Sequence, residues 1–269
     1  MKLAFVGGGN MASALIGGLL RRGAVPAARI AVVEVSATRR AQLARELGVR
    51  VLESPDDTVG AAPLIVLAVK PGDARSACAA LAGMQPRGIL LSIAAGVPTA
   101  ALARWSGSER IVRAMPNTPA LVGQGITGAY ARPAVGEEGR ASATALLEAV
   151  GHVAWFGDEG MLDAVTAISG SGPAYVFRFI EALVQAAREM GMDGPQARLF
   201  AVQTFAGAAA LAAQSAEPVS VLRERVTSPG GTTAAALAKM ESAGVAEAII
   251  EAAHAALARS RELGAAQDQ

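Results

Sequence analysis

The chain has 269 residues, of which 52% are apolar and 17% charged, and its 24 basic and 23 acidic side chains leave a net charge of +1. This balance argues against nucleic acid or an anionic membrane as the main partner, because both require a basic surface. A single cysteine, Cys78, excludes an intrachain disulfide, and Cys78, His152 and His254 are too few and too scattered for a metal site. A cytoplasmic enzyme fits these features best.

The amino terminus begins with an apolar stretch that could pass for a signal peptide. Gly7-Gly8-Gly9-Asn10 interrupts that stretch after four apolar residues. A signal sequence has a continuous apolar helix instead, so the interruption predicts a strand and a turn. Residues 205–216 form another apolar stretch, but it falls short of the roughly 20 residues that span a bilayer. We expect no targeting segment and no membrane helix.

The first part of the chain alternates short β-rich runs with helical patterns. The early runs are continuously apolar, which is typical of parallel strands covered by helices on both faces. Gly48 is expected to cap the carboxyl end of the second helix. The predicted strands are residues 3–6, 30–33, 64–69, 89–93, 111–115, 126–131 and 152–156, and helices are predicted at 11–22 and 38–47.

Strand patterns stop after about Gly157, and the rest of the chain is predicted to be helical. Pro173 and Pro195 stand where helices begin, because proline is tolerated in a first helical turn. Many helical faces are rich in alanine, which leaves a modest core and favours burial against a second copy. The chain therefore divides into an α/β domain, residues 1–158, and an all-helical domain, residues 159–269, with helices predicted at 172–190, 195–213, 219–225, 231–241 and 245–263.

A glycine-rich segment, residues 7–12 (GGGNMA), directly follows the first predicted strand and opens a helix. It fits G-x-G-x-x-G/A, with Ala12 in the third position. The first glycine permits a tight turn, the second lets the backbone approach a pyrophosphate, and the small third residue lets the helix pack on the strand. Because a strand precedes this segment and a helix follows it, a dinucleotide site in a Rossmann-type domain is predicted.

The end of the second predicted strand carries conflicting signals about the cofactor. Glu34 stands about 20 residues after the glycine pattern, where a carboxylate binds the ribose 2′-OH of NAD. Ser36, Arg39 and Arg40 follow closely and could hold the 2′-phosphate of NADP. Alternatively, Ser36 caps a helix and the arginines are solvated. Both cofactors remain open on these residues alone.

Two further segments end predicted strands at the same edge of the sheet. They are residues 68–71 (AVKP) and residues 115–119 (MPNTP). Ligands of open α/β sheets bind at the carboxyl ends of the strands, so both segments are candidates for contacting a nicotinamide. Alternatively, Lys70 is a solvated charge and Asn117 a turn former between two prolines.

The helical domain contains two segments rich in glycine and hydroxyl groups, residues 169–175 (SGSGPAY) and 227–233 (TSPGGTT). Small residues expose successive backbone N–H groups at the start of a helix, where the helix dipole favours an anion. These segments are suited to a carboxylate or a phosphate, and simple helix capping is the alternative.

Together these segments resemble pyrroline-5-carboxylate reductases. The resemblance is carried, in the family's order and spacing, by residues 5–12, 68–71, 115–120, 163–175 and 226–233. It implies hydride transfer to the C=N bond of 1-pyrroline-5-carboxylate to give L-proline, the last step of proline biosynthesis. It favours NADP(H) as cofactor, with NAD(H) as the alternative, and implies a homodimer or higher homo-oligomer in which a site uses residues of both chains.

The resemblance also implies roles for individual residues. The Thr233 hydroxyl is expected to reach the ring nitrogen of the substrate as the catalytic group. The substrate carboxylate is expected on Ser228 and on the N–H groups of Gly231, Thr232 and Thr233. The substrate-binding set is Val226, Ser228, Gly230, Gly231, Thr232 and Thr233. The cofactor-binding set is Gly7, Gly8, Gly9, Asn10, Met11, Glu34, Ser36, Arg39, Ala68, Val69, Lys70, Pro71 and Asn117.

Glu34 departs from the family pattern, because relatives that prefer NADPH often have a neutral residue there. Two other functions compete with the reductase. A β-hydroxyacid dehydrogenase would need a catalytic lysine in its helix pattern, and residues 170–179 contain neither Lys nor Asn. A non-catalytic nucleotide sensor would keep the glycine pattern but would have no need of residues 227–233.

Overall fold

The protein is described by a computed structural model over residues 2–267, the side chain of residue 267 excepted. An eight-stranded sheet has the order β3-β2-β1-β4-β5-β6-β7-β8. Its strands are β1 (Leu3–Val6), β2 (Ile30–Val33), β3 (Arg50–Leu52), β4 (Leu64–Leu67), β5 (Ile89–Ser92), β6 (Ile111–Met115), β7 (Gly125–Ala131) and β8 (Gly151–Trp155).

Helices connect most of the strands, and the described chain after β8 is mainly helical. They are α1 (Asn10–Arg21), α2 (Ala37–Leu47), α3 (Asp57–Gly60), α4 (Ala74–Ala82), α5 (Thr99–Ser106), α6 (Gly136–Leu147), α7 (Met161–Val165), α8 (Gly172–Glu189), α9 (Gly194–Gln214), α10 (Val219–Arg225), α11 (Thr232–Ser242) and α12 (Val245–Gln267). A π-helical turn, Thr166–Gly170, follows α7. None of the described helices is both long and apolar enough to cross a membrane.

The strand order from β3 to β6 is that of a doubly wound Rossmann sheet, which confirms the predicted fold class. These six strands are parallel. From β1, successive strands are added first on one side (β2, β3) and then on the other (β4, β5, β6). The strand order therefore reverses between β1 and β4, and such sheets bind ligands at this switch point. Parallel pairing was expected for the early, continuously apolar strands and holds from β3 to β6, whereas β7 pairs antiparallel with β6. The connecting residues 116–124 are fewer than the roughly dozen that a parallel crossover needs.

Most predicted elements lie within two residues of the observed ones, but β3 was missed. It is three residues long and begins with an exposed arginine, so it has no apolar run to reveal it. The predicted cap at Gly48 is confirmed, because Gly48 has a φ of 64° and its N–H donates to the Ala44 carbonyl.

Apolar layers cover both faces of the sheet. Leu3 and Phe5 of β1 point into one layer and Ala4 and Val6 into the other, which explains why the early strands are continuously apolar. Cys78 on α4 is fully buried in the second layer. Burial raises the pKa of its thiol to about 11, so the thiol stays protonated at neutral pH.

The chain divides into two compact units between Ser171 and Gly172. The first unit holds the described residues up to Ser171 and from Ala256 onward, and the second holds Gly172–Ala255. The domain boundary after residue 158 stays a prediction. Residues 159–171 belong to the first unit by their packing, because α7 contacts β6 and β7, and Asp163 accepts a hydrogen bond from the Ser260 hydroxyl at 2.7 Å.

The second unit has very little core of its own. Its buried residues, within the part of the chain that the structure describes, are Ala197 and Ala201. By contrast, Phe177, Phe200 and Ile250 are each more than half exposed. This is the surface expected of a domain that is covered by another copy.

Candidate active site

The glycine turn lies where the ends of three strands meet. The Gly7 N–H donates to the Val33 carbonyl of β2, and the Ala68 N–H donates to the Val6 carbonyl of β1, both at 2.8 Å. Gly7 has a φ of 98°, and a Cβ there would lie 2.5 Å from the Ala68 carbonyl oxygen. A glycine is therefore required at position 7 by the fold itself, because any side chain there would clash with the backbone of Ala68.

Gly9 is a glycine for a different reason. Its φ of −67° and ψ of −174° are open to any residue, and a Cβ there would meet no heavy atom within 4 Å. It is the N-cap of α1 and makes no side-chain capping bond, so the first N–H groups of that helix receive no bond from the capping residue. This turn fits a dinucleotide, because a pyrophosphate must approach the backbone where a side chain would stand.

Glu34 is held at the end of β2, beside the glycine turn. One carboxylate oxygen accepts the Gly8 N–H at 3.0 Å, and the other accepts the Ser36 N–H at 2.9 Å. A Cβ at Gly8 would lie 2.5 Å from Leu43 Cδ1 and 3.2 Å from the Glu34 carboxylate. The negative charge is thus fixed in position next to the dinucleotide turn.

The Arg39 side chain hydrogen-bonds the glycine turn and does not extend into solvent. Its Nε donates to the Gly8 carbonyl at 2.7 Å, and its terminal nitrogens donate to Ser13 Oγ at 2.7 Å and to Gln42 Oε1 at 2.6 Å. The capping alternative for Ser36 is confirmed, because its hydroxyl accepts the Arg39 N–H at 3.3 Å.

The other cofactor candidates lie at the same carboxyl edge. Ala68 and Val69 are half-buried after β4, Lys70 is exposed, and Pro71 begins a short 3-10 turn. The loop after β5 was missed as a candidate, although the Ile93 N–H donates to the Leu67 carbonyl at 3.0 Å and so places this loop at the same edge. The rule that ligands bind at the carboxyl ends of the strands, which singled out the segments after β4 and β6, would also have singled out this loop.

Asn117 after β6 is buried, and both ends of its carboxamide are bonded to backbone. Its Oδ1 accepts the Ile126 N–H at 3.0 Å, and its Nδ2 donates to the Ser169 carbonyl at 3.1 Å. The side chain therefore joins elements of the fold.

In the second unit, the substrate candidates form one loop between α10 and α11. The Gly231 N–H donates to the Ser228 carbonyl at 3.0 Å, and Gly230 has a φ of 69°. With Pro229 before it, this is the pattern of a type II turn. The Gly231 N–H, which the resemblance assigns to the substrate carboxylate, is thus already used within the turn.

The start of α11 offers the remaining donors. Its N-cap, Gly231, makes no side-chain capping bond, so the N–H groups of Thr232 and Thr233 in the first turn are left for a ligand. The Thr227 hydroxyl donates back to the Arg223 carbonyl at 2.6 Å, whereas the Thr233 hydroxyl is bonded to no other described residue. Val226 is exposed beside the loop.

Comparison with known proteins agrees with this arrangement. Residues 159–263 match the profile of pyrroline-5-carboxylate reductase dimerisation, and residues 2–96 match that of NADP oxidoreductases, coenzyme F420-dependent. The pyrroline-5-carboxylate reductase of Pseudomonas aeruginosa is 44% identical over 264 residues, which are 97% of this chain and 96% of that protein. The chain belongs to the pyrroline-5-carboxylate reductase family.

Solved structures of the family have the same fold. The pyrroline-5-carboxylate reductase of Coxiella burnetii has a TM-score of 0.92 at 37% identity, covering 97% of this chain and 98% of that one. The Plasmodium falciparum pyrroline carboxylate reductase, solved with NADP bound, has a TM-score of 0.88 at 30% identity and covers 98% of both chains. The exposed apolar residues of the second unit lie within the family's dimerisation domain.

Proposed function

We propose that this protein is a cytoplasmic pyrroline-5-carboxylate reductase. It uses NAD(P)H to reduce the C=N bond of 1-pyrroline-5-carboxylate and releases L-proline, as the last step of proline biosynthesis. The start of α11 supports this function most directly, because it combines uncapped N–H groups with a Thr233 hydroxyl that bonds no other described residue, in a chain that is 44% identical to a named reductase. The dimerisation domain supports self-association as a homodimer or a higher homo-oligomer.

The chain's own residues have a limited chemical task. A reduced nicotinamide, when bound, supplies the hydride that the imine carbon accepts. The N–H groups of Thr232 and Thr233, with the Ser228 hydroxyl, hold the substrate carboxylate at the positive end of the α11 dipole. The Thr233 hydroxyl hydrogen-bonds the ring nitrogen and fixes the plane of the imine. When the imine binds in its protonated form, the product amine keeps that proton, so no strong acid is required from the protein.

The direct test is the loss of reduced-nicotinamide absorbance by purified protein, with and without 1-pyrroline-5-carboxylate. We expect oxidation that depends on the substrate, with L-proline as the product. Folded protein that binds a dinucleotide but shows no turnover would favour the nucleotide sensor instead.

Cofactor preference depends on the two residues that flank the glycine turn. The resemblance favours NADP(H), with NAD(H) as the alternative. The fixed carboxylate of Glu34 repels a 2′-phosphate and can accept a hydrogen bond from a 2′-hydroxyl. Arg39 already donates three hydrogen bonds within the protein, which leaves it less able to hold a phosphate. We therefore propose that NADH is oxidised at least as efficiently as NADPH.

Glu34→Gln is expected to shift the ratio of kcat/KM for NADPH to that for NADH upward by about tenfold. Repulsion between two charges about 4 Å apart is worth about 1 kcal/mol in water and about 4 near a protein surface, and the substitution removes it at nearly constant size. Glu109→Gln is the matched control, because Glu109 is an exposed carboxylate that pairs with Arg132 and contacts none of the cofactor candidates. An unchanged ratio in Glu34→Gln would contradict the role of this charge.

A further inference from the structure

A buried carboxamide joins three elements at the carboxyl edge of the sheet. Asn117 follows β6 and is 8% exposed. Its bond to the Ile126 N–H reaches β7, and its bond to the Ser169 carbonyl reaches the π-helical turn. One side chain thus ties the loop of residues 116–124 to the strand that follows it and to a turn 52 residues away in sequence.

The Ser169 carbonyl needs a partner because of the residue four positions later. An α-helix pairs each carbonyl with the N–H of the fourth residue along, and Pro173 has no N–H. The helix is already widened here, since the Ser171 N–H donates to the Thr166 carbonyl, five residues earlier, at 2.8 Å. Asn117 therefore bonds a carbonyl that has lost its α-helical partner.

Close packing holds the same elements together. A Cβ at Gly170 in the turn would lie 2.8 Å from Met115 Cε at the end of β6. A Cβ at Gly125 would lie 3.0 Å from the Ala120 Cα within the loop. The absence of these side chains brings the turn, the loop and β7 into contact around Asn117.

We propose that Asn117 is a positioning residue for the hydride transfer. Its carboxamide fixes the loop of residues 116–124 and the π-helical turn at the sheet edge where the nicotinamide half of the cofactor is expected. It acts through that loop and not as a cofactor ligand, unlike the direct contact predicted from the sequence. The inference rests on the proposed function, since a misplacement of about 1 Å near reacting atoms costs up to about 100-fold in rate.

Asn117→Ala and Asn117→Asp test the two bonds separately. Alanine loses both, whereas aspartate keeps an acceptor for the Ile126 N–H but offers no donor to the Ser169 carbonyl when ionised. We expect kcat to fall at least about tenfold in both variants. The Kd values for NADH and NADPH, measured by nicotinamide fluorescence, are expected to change less than about threefold, because the residues of the glycine turn are untouched.

A measurement without cofactor or substrate reports on the bond itself. Hydrogen exchange at the Ile126 amide is expected to accelerate in Asn117→Ala and to stay slow in Asn117→Asp. Thr144→Val is the matched control, since it removes the bond from Trp155 Nε1 to Thr144 Oγ1, 2.9 Å long, elsewhere in the first unit. It is expected to lower the Tm without changing kcat.

Three outcomes would overturn the inference. Wild-type kcat in Asn117→Ala, together with fast exchange at Ile126, would show that the bond is lost without effect on turnover. This result would overturn the positioning role and leave the proposed function intact. Equal losses of kcat and of dinucleotide affinity would make Asn117 a direct cofactor ligand. Absence of reduction by the wild-type protein would overturn the proposed function and this inference with it. If Asn117→Ala does not fold, Asn117→Asp carries the kinetic comparison.

Discussion

Gly9→Ala and Gly9→Ser are expected to weaken the binding of both NADH and NADPH at least about tenfold while the protein stays folded. Gly9 has backbone angles that suit any residue, and a Cβ there meets nothing within 4 Å. A side chain at this point occupies the space that a pyrophosphate needs, and excluding it removes the helix N–H groups from the ligand. A tenfold loss of affinity corresponds to about 1.4 kcal/mol.

The two substitutions differ in their effect on the helix, which separates binding from stability. Alanine is a poor N-cap and is expected to cost about 0.5–1 kcal/mol of stability, whereas serine is a good one. Both Kd values are measured by nicotinamide fluorescence and Tm by calorimetry. Gly157→Ala is the matched control, because a Cβ there also meets nothing within 4 Å and Gly157 lies outside the cofactor-binding set.

Gly7 provides the contrast within the same turn. Gly7→Ala is expected to lower Tm strongly, because the new Cβ would stand 2.5 Å from the Ala68 carbonyl oxygen at a φ of 98°. If Gly9→Ala and Gly9→Ser both bind dinucleotide as the wild-type protein does, the pyrophosphate does not lie over this turn.

Thr233→Ala is expected to lower kcat by about 10- to 100-fold, since the hydroxyl that orients the ring nitrogen is lost. Thr233→Ser keeps the hydroxyl and is expected to retain most of the turnover. Ser228→Ala removes a contact to the substrate carboxylate, which is made equally in the ground state and the transition state. It is therefore expected to raise the KM for 1-pyrroline-5-carboxylate while kcat is nearly unchanged.

Steady-state kinetics with saturating NADH or NADPH measures both effects. Thr204→Ala is the matched control, because Thr204 lies on α9 of the same unit and its hydroxyl donates to the Phe200 carbonyl four residues earlier at 2.8 Å. Unchanged kinetics in Thr233→Ala and Ser228→Ala together would contradict the assignment of this loop to the substrate.

Local patterns in the sequence were sufficient for much of the fold. The continuous apolar runs of β1, β2 and β4 predict strands buried on both faces, and the glycine turn between β1 and α1 predicts the dinucleotide edge. These features depend on neighbouring residues alone. The residues of β7 were predicted as a strand, but its antiparallel direction and the short β3 depend on pairing with other strands, so periodicity revealed neither.

The side-chain contacts at the candidate site were beyond the reach of sequence patterns. Glu34 and Arg39 were predicted as cofactor contacts, and the structure shows that both also bond the backbone of Gly8. Asn117 was predicted beside the nicotinamide, and the structure shows its carboxamide bonded to backbone at Ile126 in β7 and at Ser169 in the π-helical turn.

The sequence by itself determined the family and the two-part architecture, and it singled out the loops that are predicted to carry the chemistry, because each is encoded in short, contiguous patterns. Only the tertiary structure decided that Gly7 serves the fold while Gly9 leaves room for a ligand. It also decided that the Asn117 side chain hydrogen-bonds β7 and the π-helical turn. The physical reason is that these roles depend on atoms 26 to 52 residues apart, as in the bonds of Glu34 to Gly8 and of Asn117 to Ser169, which chain topology brings within 3.1 Å.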